Sequence, residues 1–293
     1  MAQHTGAVIV GVDGSDRAIC AARWAAALAD RMDAPLHMVH AMVGLGGGLS
    51  EVTAAVRAAI MSYQDDMAPI FLKDAADAVH ADFPDLSVTT ASHRESADQV
   101  LAAASRDARL IVLGGKDIDS ATVLLLGSTT LTVSAHAHCP VVSWRGDRPT
   151  LSDRPVVVGA DGSPSGAAAL TAAFDIADRL GVGVRAVRAW STRIPTARVD
   201  EGLRESLSSA QRALLVDETD RLLQRHPGVA VDCVVAEGGA AQAVLDQSGD
   251  AQLVVVGTRG RNALASTVLG STSLNLLQHS RIPVMVCRAQ RGG

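Results

Sequence analysis

Two α/β domains in tandem, each an open, parallel, five-stranded sheet wound in Rossmann-like fashion, are what the sequence predicts, on three observations. Valine-rich runs of strand length alternate with longer helical segments along the whole chain. The triplet Asp13-Gly14-Ser15 returns 148 residues later as Asp161-Gly162-Ser163, and Ala29-Asp30-Arg31 returns at the same offset as Ala177-Asp178-Arg179, a duplication rather than a coincidence. With 293 residues, 48% of them hydrophobic, the chain has material for two domains of ordinary size.

The elements follow in order. Ala7 to Val12 reads as a first strand, and the helix after Asp13-Gly14-Ser15 runs from about Asp16 to Met32; the second copy opens with Val156 to Ala160 and a helix to about Leu180. Second strands are expected at Leu36 to Ala41 and Val184 to Ala189. A glycine-rich loop, Gly44 to Gly48, leads to a long helix over roughly Glu51 to Val79, whose counterpart spans about Leu203 to Gln224. Third strands at Leu86 to Ala91 and Val229 to Val235 precede helices at Ala97 to Ser105 and Ala240 to Gln247. From Asp107-Ala108-Arg109-Leu110, which pairs with Asp250-Ala251-Gln252-Leu253, the offset is 143, so five residues are lost after the second strand. Gly127-Ser128 and Gly270-Ser271 share that offset and open the last helices, and final strands lie at Pro140 to Ser143 and Pro283 to Val286. A polar linker, Gly146 to Arg154, separates a first domain of residues 1–146 from a second of residues 155–293.

Uninterrupted valine runs alternating with helices imply parallel sheets covered on both faces. Ligands of such sheets bind beyond the carboxyl ends of the strands, where the strand order reverses. The Asp161 and Gly257 turns both leave strands at that end, so they are expected to converge although 96 residues separate them.

Composition narrows the function. Charged residues make up 19%, the net charge is −5 and aromatics are 2%, which offers neither a basic footprint nor stacking platforms for nucleic acid. No apolar run approaches a membrane span, no secretory leader is recognised, and Cys20, Cys139, Cys233 and Cys287 lie scattered without a C-x-x-C pair. A cytoplasmic protein with reduced, buried thiols is the expectation.

The richest stretch is Val254-Val255-Val256-Gly257-Thr258-Arg259-Gly260, continued by Leu269-Gly270-Ser271-Thr272-Ser273. A strand, a glycine loop and a helix start build an anion site: glycine admits close backbone approach, and unpaired amides at the positive end of the helix dipole favour phosphate. Ser271, Thr272 and Ser273 add hydroxyl donors there. The spacing of Gly257, Gly260 and Gly270-Ser271 after a hydrophobic strand resembles the nucleotide signature of the universal stress protein family, in its ATP-binding branch, and the resemblance covers nearly the whole chain as two copies. It implies an adenine nucleotide alpha hydrolase-like fold and a non-catalytic or very slowly hydrolysing ATP-binding protein that regulates stress response or growth.

Asp161-Gly162-Ser163 has two readings. Asp-Gly is turn chemistry and serine a good helix N-cap; by resemblance, the Asp161 carboxylate accepts from the exocyclic amine of adenine, and Asp13 is the matching candidate in the first copy. The resemblance places Gly257 and Gly260 on the ribose and phosphates and Gly270, Ser271, Thr272 and Ser273 on the phosphate tail, with Ala160 and Ala189 bordering the base and Arg259 as a charge partner or a solvated cation. The first-copy positions are Val12, Asp13, Gly14, Ser15, Ala41, Gly114, Gly127, Ser128, Thr129 and Thr130. That copy departs from the pattern at Gly114-Gly115-Lys116-Asp117, where Asp117 replaces a glycine. A carboxylate beside a polyphosphate costs Coulomb energy, which Mg2+ or Lys116 would only partly offset, so this site is expected to be weaker, altered or empty.

His136-Ala137-His138-Cys139 has a ligand-like look but lacks a second chelating pair, and no metal centre is expected. No G-x-x-x-x-G-K-S/T loop, G-x-S-x-G elbow or H-E-x-x-H occurs, and no general base is marked, so at most weak ATPase activity is indicated. Trp24, Trp144 and Trp190 read as packing residues. A homodimer, and a two-fold-like contact between the copies, would use the last strands, Pro140 to Trp144 and Pro283 to Arg288. The competing functions are a slow ATP hydrolase or adenylyl-transferring enzyme, a cyclic-AMP receptor, and a ligand-free interaction protein; the sequence names no protein partner.

Overall fold

Valine and isoleucine are stiff at χ1 and pack well on a pleated surface, and the runs they dominate form the strands of the computed structural model, which describes residues 5–41, 54–114, 127–146, 149–191, 200–260 and 269–289. The chain divides into two compact units, one of residues 1–117 and 126–151, the other of residues 118–125 and 152–293. Unit 1 comprises β1 (Val8–Gly11), α1 (Asp16–Arg31), β2 (Leu36–Ala41), α2 (Ala54–Asp82), β3 (Val88–His93), α3 (Ala97–Ala104), β4 (Leu110–Gly114), α4 (Ser128–His136) and β5 (Val141–Trp144). Unit 2 comprises β6 (Val156–Gly159), α5 (Pro164–Leu180), β7 (Val184–Trp190), α6 (Glu201–Leu223), β8 (Val231–Glu237), α7 (Ala240–Asp246), β9 (Leu253–Gly257), α8 (Ser271–His279) and β10 (Val284–Cys287).

Within unit 1 the strands lie in the order β3-β2-β1-β4-β5, and within unit 2 the order β8-β7-β6-β9-β10 repeats it. Every pairing inside a unit is parallel, with registers such as Val8↔Leu36, Val8↔Leu110 and Val156↔Val184. The order reverses at β1/β4 and β6/β9, which brings the loops after those strands side by side at their carboxyl ends. Helices cover both faces. In unit 1, Ile9, Val39, Ile111, Leu113 and Val141 point to one face and form a core with Leu101 of α3 and Val133 of α4. Each such side chain contributes about 1.5–3 kcal/mol on burial. The three tryptophans are packed away, at 3%, 1% and 8% exposure for Trp24, Trp144 and Trp190.

Three expectations are corrected. Strands β3 and β8 each begin two residues later than the apolar pattern suggests, because Leu86 and Val229 donate their N–H groups to Phe83 and His226 in the preceding turns and pack there instead of joining the ladder. Helix α2 continues past Val79 to Asp82, whose carboxylate accepts from Arg23 Nε of α1 at 2.6 Å, and α6 begins at Glu201 because Asp200 caps it by accepting from Leu203 N–H at 2.7 Å. Cys139 and Cys287 are buried, but Cys20 and Cys233 are only half-buried. The loop Gly44 to Gly48 and the start expected at Glu51 lie outside the described residues. No described helix is long and apolar enough to cross a membrane.

Candidate functional site

In unit 2 the site is built by two loops and two helix starts. Strand β6 ends at Gly159, and Ala160 stays in the sheet by donating its N–H to Val187 O at 2.9 Å. Asp161 then turns the chain, its Oδ1 accepting the Ser163 N–H at 2.9 Å, while Gly162 adopts φ +75, a left-handed conformation that favours glycine. Ser163 caps α5 by accepting the Gly166 N–H at 3.0 Å, and Pro164 follows in the first turn, where its missing N–H costs nothing.

The loop after β9 is tied to this turn. Ser163 Oγ donates to Arg259 O at 3.2 Å, and Ser165 Oγ both donates to Arg259 O at 2.5 Å and accepts the Arg259 N–H at 3.3 Å. The Arg259 side chain points to solvent while its backbone is clamped. Gly257 faces the first turn of α5 so closely that a Cβ would lie 2.7 Å from Ser165 C and 2.9 Å from Gly166 N. A Cβ on Gly260 would lie 2.8 Å from Asp161 Oδ2. Thus the carboxylate after β6 and the glycine loop after β9 meet.

Gly270 caps α8 without any side-chain cap, and its N–H donates to Thr258 O at 2.7 Å, folding the loop back on itself. Gly270 has no side chain to cap the first-turn amides of α8, and a helix start of this kind favours an anion. Ser271 is exposed and Thr272 half-buried, but Ser273 is 1% exposed and its hydroxyl is within reach of Gly270 O at 2.9 Å and Thr258 O at 3.3 Å. Ser273 thus holds the loop from inside. Ala160 is buried and Ala189 half-buried on the neighbouring strands β6 and β7.

Unit 1 repeats the scaffold with different fittings. Val12 donates its N–H to Val39 O at 2.9 Å; the exposed Asp13 accepts from Ser15 N–H at 3.0 Å and from Ser15 Oγ at 2.6 Å; and Ser15 caps α1 by accepting the Ala18 N–H at 3.2 Å. Gly14, at φ +83, lies under the Phe71 ring, which a Cβ would meet at 2.5 Å. Gly114 approaches α1 less closely than Gly257 approaches α5, with a Cβ 3.4 Å from Arg17 O. Gly127 caps α4, again without a side-chain cap; Ser128 is exposed, Thr129 half-buried and Thr130 buried, and Ala41 ends β2 half-buried. Beyond β5, burial foremost and the Arg17 charge second push the Arg145 guanidinium below its ordinary pKa. Gly115, Lys116 and Asp117 lie outside the described residues.

Residues 5–145 and 154–288 each match the Universal stress protein family. The chain belongs to that family. A universal stress protein of Mycolicibacterium smegmatis is 32% identical over 286 residues, 96% of each chain, and one of Mycobacterium tuberculosis is 33% identical over 288 residues, again 96% of each. A universal stress protein from Archaeoglobus fulgidus has the same fold, with a TM-score of 0.71 at 19% identity over 97% of this chain and 98% of that one.

Reading this tandem universal stress protein from sequence missed Ser165, which clamps Arg259, and the pairing of the buried Arg188 with the half-buried Glu218 behind the Asp161 turn. The Ser-Pro-Ser run was the available signal for the first, and a charged residue on the apolar face of β7 for the second. His136 and His279 play a scaffold part, each ring donating from Nδ1 to the carbonyl four residues back, Thr132 O and Asn275 O, at 2.9 Å. Among the described residues, no three His, Cys, Asp or Glu gather as a metal site.

Proposed function

We propose that unit 2 binds ATP and that the chain acts in the cytoplasm as a nucleotide-dependent regulator of stress response or growth, with no hydrolysis or very slow hydrolysis. The observation that carries the reading is the meeting of Asp161 with Gly260, beside an α8 start whose N-cap, Gly270, has no side chain to cap it. The residues suit a triphosphate: a side chain at 260 would invade the space beside Asp161, and the α8 amides and the Ser271 hydroxyl are donors where negative charge is favoured. Gly257 is different, because its lack of a side chain is already required by packing against α5. Asp161 serves the purine as an acceptor; a carboxylate offers about four lone-pair directions, so accepting from Ser163 does not by itself exhaust it. Mg2+ would arrive with the phosphates. Unit 1, with Asp117 in its loop, binds more weakly or not at all, and a homodimer through the last strands is the expected assembly, to be checked by sedimentation.

Calorimetric titration with ATP, alongside mass spectrometry of nucleotide carried through gentle purification, tests the reading. One binding event per chain, weakened in Asp161→Asn and Ser271→Ala, supports it, and the absence of heat at millimolar adenine nucleotide overturns it. Displacement of ATP by cyclic AMP at lower concentration would point to the receptor reading. Phosphate release that disappears in Ser271→Ala would point to hydrolysis.

A further inference from the structure

Arg188 sits on β7 with 1% of its surface exposed, among the largest side chains fully enclosed by the protein. Its Nη2 donates to Glu218 Oε1 of α6 at 2.8 Å, and its Nε is buried with no hydrogen-bond partner among the described residues. The contact lies directly against the Asp161–Ser163 turn: a Cβ on Gly162 would be 3.3 Å from Arg188 Nη2 and 3.4 Å from Glu218 Oε1. Stability alone does not call for this arrangement. Replacing a buried ion pair by apolar groups of similar volume is often neutral or stabilising, and an unpaired buried N–H is itself a cost.

The duplication supplies an internal control. The residue 148 positions earlier is His40, buried on β2, which donates from Nδ1 to Val12 O at 2.7 Å and packs on Phe71 with ring centroids 5.6 Å apart. Phe71, not a carboxylate, faces Gly14. The scaffold therefore folds without an ion pair at this place, and the copy with the glycine signature intact is the one that carries it.

We infer that Arg188, with Glu218 as its counter-charge, is a positioning residue that braces the Gly162 turn and so holds Asp161 against the Gly260 loop, making unit 2 the competent nucleotide site. The ligand half of the inference rests on the function proposed above; the bracing half does not. Glycine is permissive in φ, so its own backbone does not pin the turn, whereas a planar guanidinium held by a carboxylate is a rigid support beneath it.

The test compares wild type with Arg188→Met/Glu218→Leu, in which both charges leave together, and with Arg188→Lys. Amide hydrogen exchange of the free protein should show Ser163 and Gly166 exchanging about tenfold faster in the double variant, with the β9 amides and the melting temperature unchanged. ATP titration of the same proteins should show about tenfold weaker binding, with Arg188→Lys recovering to within about threefold. Wild-type exchange at Ser163 and Gly166 in the double variant would overturn the bracing role, whether or not ATP binds. Faster exchange with undiminished ATP affinity would overturn its importance for the ligand. If wild type itself binds no ATP, the nucleotide reading falls and the exchange measurement still decides the brace.

Discussion

Substituting Gly260 by aspartate copies into unit 2 the departure that unit 1 carries at Asp117, 143 residues earlier. A Cβ at 260 would lie 2.8 Å from Asp161 Oδ2, so the new carboxylate would settle on the order of 4 Å from the existing one. At an effective dielectric constant of about 20 that repulsion is about 4 kcal/mol. Gly260 is exposed and Asp161 half-buried, so solvent and salt reduce it to about 1–2 kcal/mol. The free protein relieves that repulsion by letting the two loops part, so a ligand that needs them together must restore it; repulsion of the triphosphate adds to this, and each 1.4 kcal/mol is about tenfold in affinity. Gly260→Asp should therefore bind ATP about ten- to thirtyfold more weakly than wild type by calorimetry, and the loss should shrink at high salt. Gly260→Ala brings the steric part without the charge and should cost only a few-fold, independent of salt. In the converse direction, Asp117→Gly removes the charge but leaves His40 and Phe71 where unit 2 has its ion pair, so it should strengthen binding by unit 1 without reaching the affinity of unit 2. A Gly260→Asp protein that titrates like wild type, or whose loss ignores salt, would refute the electrostatic account of the inequivalent copies.

Further outcomes follow from single contacts. Gly257→Ala forces a Cβ onto the Ser165 and Gly166 backbone, which cannot step aside as a side chain can, and should cost about 2–3 kcal/mol in urea unfolding; Gly114→Ala, 3.4 Å from its neighbours, should cost far less. Equal losses for the two would contradict the difference in approach between Gly257 and Gly114. Ser163→Ala removes the α5 cap and one tie to Arg259, for about 1–2 kcal/mol of stability in the same assay. Burial pushes the Cys139 thiol from its ordinary 9.0 up to about 12. The fold then holds a proton that the unfolded chain releases, so the contribution is intact below pH 9 and is lost at about 1.4 kcal/mol per pH step as pH rises towards 12. Cys139→Ala should flatten that alkaline limb in denaturation experiments.

What sequence made legible, and what it did not, divides by the range of the interaction. Strand and helix identity is written in local periodicity, and the duplication fixed the order of the elements: Asp13-Gly14-Ser15 and Asp161-Gly162-Ser163 both form glycine turns at positive φ followed by a serine cap. Periodicity could not tell a strand residue from an apolar residue closing a turn, which is why Leu86 and Val229 were assigned to ladders they do not join. The convergence of Asp161 with the loop after β9 followed from topology, since the order reverses between β6 and β9. The individual roles did not follow, because a glycine looks the same whether it admits a ligand or a neighbouring backbone. Gly257 is pressed against Ser165, Gly260 against a carboxylate and Gly270 against Thr258 O, three reasons for one residue type within a single motif. Arg188 escaped for the opposite reason: its charge stood out on an apolar strand face, but its partner is 30 residues away on α6 and the Gly162 turn it lies against is 26 residues back, so the residues around it in sequence do not show what it contacts. The motif therefore marks where the two loops meet, while the side chains packed beneath that meeting point lie outside the motif and differ between the copies, Arg188 and Glu218 in unit 2 against His40 and Phe71 in unit 1.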